Sequence, residues 1–157
     1  MKNKELILFL CAALAVSCGG GGGGGGNSGS PKSYAGTWDG TLYLTQNTCN
    51  FDGILDALQV EHLINQSGSR VVIDVPQKTT TYEGTTDGNE GFTVGQEVLN
   101  QPVGGGVSCR LTSAIRYRAA GNDIANVDNR QDFDCTNGST NQSCTVAYSG
   151  EMTRKKQ

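Results

Sequence analysis

The chain has 157 residues, 36% hydrophobic and 6% aromatic, and its 12 Lys and Arg against 15 Asp and Glu give a formal net charge of −3. Such mild acidity excludes the basic face that phosphate contacts demand of a nucleic-acid-binding protein. Only Arg154, Lys155 and Lys156 form a basic cluster, and a charge run of that length is ordinarily just solvated.

Met1, Lys2, Asn3, Lys4 and Glu5 precede an apolar run from Leu6 to Val16, which is followed by Ser17 and Cys18. A positive start, a short apolar core and a small residue before a cut are the parts of a secretory signal. A spanning helix needs about 20 apolar residues. This run is far shorter, so it reads as an address and not as a spanning anchor. The stretch Leu14-Ala15-Val16-Ser17-Cys18 resembles the bacterial lipoprotein signal, with Ala15 standing where Leu is commonest. The resemblance implies that residues 1–17 are removed, that the Cys18 thiol carries a diacylglycerol, and that the new amino group is acylated. One acyl chain binds a membrane marginally and two or more hold it stably, at about 0.8 kcal/mol per buried methylene. Gly19 in place of Asp after the cysteine implies, by the same resemblance, the outer membrane of a Gram-negative envelope. Ordinary secretion, with Cys18 left as a free thiol, is the competing expectation.

Gly19 to Gly26, continued by Asn27-Ser28-Gly29-Ser30-Pro31, offers no apolar surface to bury. Residues 18–33 therefore read as a lipidated cysteine and a Gly-rich tether, whose root-mean-square span for about 15 residues is on the order of 20 Å. A phosphate-cradling loop does not fit, because no strand precedes the run and no Lys-Ser or Lys-Thr closes it.

Residues 34–157 are enough for one domain with a modest core. Thr37 to Thr45 alternates, with Trp38, Gly40, Leu42 and Leu44 on one face, as a half-buried strand does. Further strands are predicted near Leu58 to Gln66, Arg70 to Val75, Thr79 to Gly84, Gly91 to Leu99, Cys109 to Ala119, Ile124 to Cys135 and Thr145 to Met152. Breakers such as Ser67-Gly68-Ser69 and Gly121-Asn122-Asp123 separate them. The expected fold is all-β, an antiparallel up-and-down barrel of about eight strands. Near residues 50–58, where Phe51, Ile54, Leu55 and Leu58 have helical spacing, the expectation is one short helix or a loop crossing one mouth of the barrel.

If Gly121-Asn122-Asp123 is a three-residue hairpin loop, Tyr117 faces Val127, Leu111 faces Phe133, Arg116 faces Asp128 and Arg110 faces Asp134. Apolar pairs then share one face and opposite charges the other, which a one-residue slip would undo. The same register sets Cys109 opposite Cys135, leaving Cys49 for Cys144. In a barrel with an even number of strands, the end of the first lies beside the start of the last, so that second disulfide would pin the barrel shut. The pairing of Cys49 with Cys109 and Cys135 with Cys144 stays open, since Thr136 to Ser143 is a loop that a local bridge could close. A zinc site is the rival use of four cysteines, but no Cys-x-x-Cys spacing exists and His62 is the sole histidine.

Gly36-Thr37-Trp38 resembles the Gly-x-Trp signature of lipocalins and related calycin barrels. That resemblance implies a barrel closed at the tryptophan end, with an Arg from the last strand lying across the ring. Arg154 stands in about the right place.

Catalytic signatures are absent from the sequence. His62 shares its face with Leu58, Val60 and Ile64 and reads as a hydrogen-bonded core residue. No Gly-x-Ser-x-Gly elbow occurs, and Asp128, Asp132 and Asp134 lack calcium-loop order. The expectation is a non-enzyme without cofactor or metal, bound to the membrane through lipid on Cys18 and with no nucleic-acid partner. Its barrel would take a small apolar ligand lined by Trp38, His62, Tyr117, Val127 and Tyr148, with small inward residues Ser113, Ala125 and Gly150 leaving room. The alternative is a filled barrel acting as an envelope interaction module through exposed Tyr43, Tyr82 and the loops.

Overall fold

A computed structural model describes residues 32–49, 51, 53–76, 78, 80–88, 90–104, 107–137 and 140–156. The signal over residues 1–17, Cys18 and the tether as far as Pro31 lie outside the described residues.

Eight strands follow in chain order: β1 Gly36–Asn47, β2 Ala57–Ser67, β3 Arg70–Val75, β4 Thr80–Thr86, β5 Gly91–Gly104, β6 Val107–Ala119, β7 Ile124–Asn137 and β8 Thr140–Arg154. Each pairs antiparallel with the next, and β8 pairs back onto β1, so the sheet is a closed up-and-down barrel without a free edge. Period-two alternation sets the inside. Val71, Ile73 and Val75 of β3 are buried, as are Ile115 and Tyr117 of β6, while the residues between them are more exposed.

The strands β6 and β7 pair as a three-residue loop requires: Tyr117 faces Val127, Leu111 faces Phe133 and Cys109 faces Cys135. On the outer face Arg116 faces Asp128 and Arg110 faces Asp134 in register, but the ion pairs form elsewhere. Arg118 pairs with Asp128 and Arg110 with Glu97 on β5, while Arg130 reaches Asp132 along its own strand at 2.7 Å. Sheet twist brings diagonal neighbours within reach of long side chains, so the register does not dictate the ion pair.

Closure between β1 and β8 depends on close approach. A Cβ on Gly40 would meet the Glu151 carbonyl oxygen, and one on Gly150 the Thr41 carbonyl oxygen, so bare backbone is required at both places. Gly150 thus serves the seam and leaves no vacancy inside. Toward the other end of the seam the register shifts by one residue between Leu44 and Gln46. There Thr48 N–H donates to the Thr145 carbonyl at 2.9 Å, Thr145 N–H donates to Thr48 Oγ1 at 2.8 Å, and Cys49 is bonded to Cys144. The second disulfide joins Cys109 to Cys135.

The helix expected near residues 50–58 is absent among the described residues of that segment. Gly53 is a turn with φ +80°, and β2 has begun at Ala57. The apolar residues with helical spacing are used separately: Phe51 packs on Phe133, Ile54 is half-buried, and Leu55 is exposed. Leu44 N–H donates to the Asp56 carbonyl at 2.8 Å, so the backbone group a helix would use internally is drawn toward the sheet.

Candidate functional site

The barrel has two unlike ends. At one end β1 starts and β8 stops, and the β2–β3, β4–β5 and β6–β7 turns gather there. Tyr34, Trp38, Phe92 and Tyr117 are all 0% exposed at this end. Phe92 stacks on Tyr117 at 4.7 Å, Tyr34 meets Phe92 edge-on at 4.9 Å, and Trp38 meets Tyr117 edge-on at 5.8 Å. Trp38 Nε1–H donates to the Tyr34 carbonyl at 2.8 Å, and Tyr34 N–H donates to Gln66 Oε1 at 2.7 Å. Tyr34 therefore stoppers the barrel. The Arg154 guanidinium lies 4.9 Å from the centre of the Trp38 ring and covers it from outside.

His62 belongs to the same end. Its Nδ1 and the Tyr117 hydroxyl are within hydrogen-bond distance at 2.7 Å, and that hydroxyl also lies 3.1 Å from the Met152 sulfur. Burial lowers the His62 pKa to about 4, so the ring is neutral at ordinary pH. Desolvation raises the Tyr117 pKa. Both groups are held neutral inside a packed layer, the arrangement of core hydrogen bonding and not of a poised base.

The other end is open. Inward positions of β4 to β7 line a cavity of about 610 Å³, within the usual range for small-molecule sites. Its wall is layered. Ser113 pairs in register with Gln96 on one side and Gln131 on the other. Glu83 faces Gly95, which sets Tyr82 beside Gln96, and all four polar side chains line the cavity. Burial pushes the Tyr82 pKa up, against a smaller opposing effect of its hydrogen bond to Ser113. Above this polar row runs an apolar one, Val98, Leu111 and Phe133, again consecutive in register. Phe51 meets Phe133 edge-on at 5.0 Å at the rim. Lys78 is the one charged side chain among the described lining residues. A second hollow of about 480 Å³ lies beside the disulfides and shares Phe51 and Val103 with the first.

Trp38, His62, Tyr117 and Val127 stand in the filled end, and Tyr148, 5% exposed, lies above them on β8. None of these five residues lines the large cavity. The residues that do, Gln96, Gln131, Leu111 and Phe133 among them, had a signal in the sequence. In an up-and-down barrel the start of β1 shares an end with the β6–β7 turn, so Tyr117 and Val127 must join Trp38. Leu111 and Phe133, farther from that turn, must lie toward the mouth. Tyr43 is 60% exposed, as expected, but Tyr82 is 7% exposed and faces inward. The reason is register: Tyr82 sits opposite inward-facing Ile73.

Among the described residues no group of three or more His, Cys, Asp or Glu is placed to hold a metal ion, and no helix is long and apolar enough to cross a membrane. No family model matches the chain, and no curated protein or solved structure is significantly similar to it.

Proposed function

We propose that the protein is a lipid-anchored lipoprotein of the cell envelope, held in the outer membrane of a Gram-negative bacterium through Cys18. Its lipocalin-like barrel binds a small, largely apolar ligand without catalysing a reaction. One observation carries the binding reading: aromatic side chains fill one end of the barrel, while the other end keeps a cavity of about 610 Å³ whose wall is part apolar and part hydrogen-bonding. Support for the lipocalin likeness comes from Trp38 beneath Arg154 at the closed end of eight up-and-down strands. The lipid anchor rests on the signal-like stretch ending in Ser17-Cys18.

The two halves of the proposal fit together. Residues 32–35 reach β1 at the stoppered end, so a lipid on Cys18 ties that end to the membrane and leaves the mouth on the opposite side.

The full chain, expressed in a Gram-negative host and extracted in detergent, tests both. Metabolic labelling with an alkyne fatty acid marks the wild type and not Cys18→Ala, and the variant leaves the membrane fraction. An unlabelled, soluble wild type rejects the anchor. Native mass spectrometry then shows a bound mass that is lost on denaturation. A barrel that carries none, and takes up none from a panel of alcohols, amides and fatty acids, rejects ligand binding.

A further inference from the structure

The geometry points to a ligand that enters polar end first and whose buried end is an uncharged hydrogen-bonding group, an alcohol, ketone or primary amide, and not a carboxylate. The inference rests on the binding reading above and names the chemistry of that same cavity.

The order of the layers carries it. From the rim inward, a ligand meets Phe51, then Phe133 and Leu111, and only then the row Gln96, Ser113 and Gln131. In a pocket made for a hydrocarbon tail, the deepest wall would be apolar. Here the deepest wall is amide and hydroxyl, with both donors and acceptors on adjacent strands.

A second observation lies one inward position deeper on β7. Asn129 is 8% exposed, and its Oδ1 is buried with no hydrogen-bond partner among the described residues. A buried acceptor without a donor is costly; Asn129 is not itself a lining residue, and it extends the polar character of the wall beneath Gln131.

Charge then selects the class. No Arg or His lines the polar row, and Lys78, the one charged residue among the described lining residues, stands beyond β3 toward the rim. A carboxylate pushed to the depth of Ser113 would leave water without meeting a cation, which strongly disfavours it. An amide or alcohol needs only the partners that Gln96, Ser113 and Gln131 supply.

The test compares decanamide, 1-decanol and decanoate on the detergent-free, folded full chain carrying Cys18→Ala by native mass spectrometry and calorimetry at pH 7.5. The expected result is that decanamide and decanol bind about tenfold or more tightly than decanoate. That preference collapses in Gln131→Leu and Gln96→Leu, whose far-ultraviolet circular dichroism matches the wild type. Decanoate binding as tightly as decanamide overturns the inference while ligand binding stands; dependence of that binding on Lys78, seen with Lys78→Ala, would place the charged group at the rim. An unchanged preference in folded Gln131→Leu and Gln96→Leu overturns it as well. No binding of any of the three removes the binding reading itself, and this inference with it.

Discussion

The stoppered end and the mouth of the barrel are built from the same alternating strands, yet they are held together differently. Around Trp38 the inward side chains are large and aromatic, and they meet across the axis. Around Ser113 they are shorter or polar and leave a cavity. Both disulfides lie at the mouth: Cys49 to Cys144 and Cys109 to Cys135. Packing holds the end that is full, and covalent bonds hold the end that is hollow. A barrel with a hollow end has to solve this problem, because a cavity is room from which dispersion contacts are missing.

Disulfide removal should show the contrast most strongly. Cys49→Ser with Cys144→Ser opens a link across a sequence separation of 95, and its loss is expected to cost about 4 to 5 kcal/mol in urea unfolding. Cys109→Ser with Cys135→Ser, separated by 26, should cost about 3 to 4 kcal/mol. Equal, small losses would mean that the mouth holds itself together without them.

Truncation inside the two ends comes next. Trp38→Ala should lose about 3 to 5 kcal/mol, because the cavity it leaves is walled by a fixed aromatic layer. Leu111→Ala should lose about half of that or less, since Leu111 already faces open space. Matching losses would show that the mouth is as tightly packed as the base.

Acid separates the ends by a different route. His62 titrates at about 4 when folded and at about 6.5 when unfolded. Between those values the unfolded chain binds a proton that the folded chain refuses, so stability falls as pH falls through the window, by on the order of 3 kcal/mol. Thermal melts from pH 7 to pH 4 should show this slope in the wild type and a flatter one in His62→Gln. An identical slope in both would take His62 out of the account.

Smaller effects sharpen the picture. Arg154→Gln should cost about 1 kcal/mol, the value of a partly shielded cation over an indole, and should shift Trp38 fluorescence. Gln131→Leu should change stability by less than about 1 kcal/mol while altering ligand preference, since its amide faces the cavity and not a packed neighbour. A large loss of stability there would make the polar row structural.

Much of the barrel was legible in residue order because strand period and turn chemistry are local. The β6–β7 register followed from one loop length and from the need to keep Arg116 and Phe133 on opposite faces. Residues 50–58 were not legible. Phe51, Ile54 and Leu55 have helical spacing, but their surroundings are a disulfide at Cys49 and a strand waiting at Ala57, and nine residues are too few for periodicity to outweigh those anchors. The cavity lining was legible only in part: distance from the β6–β7 turn places Leu111 and Phe133 toward the mouth, but an inward position reads the same in sequence whether its opposite wall is a Trp or a void.

The sequence by itself determined the number of strands, their faces, the placement of the Gly-rich run ahead of the first strand, and the opposition of Cys109 to Cys135. Each of these follows from neighbours along the chain or across one hairpin. Tertiary structure alone decided where Tyr34 comes to rest, that Gly40 and Gly150 must be bare for the seam to close, and that the cavity is floored by Gln96, Ser113 and Gln131. Those facts depend on side chains meeting across the barrel axis or around its closure, and the distances involved are set only when all eight strands are in place.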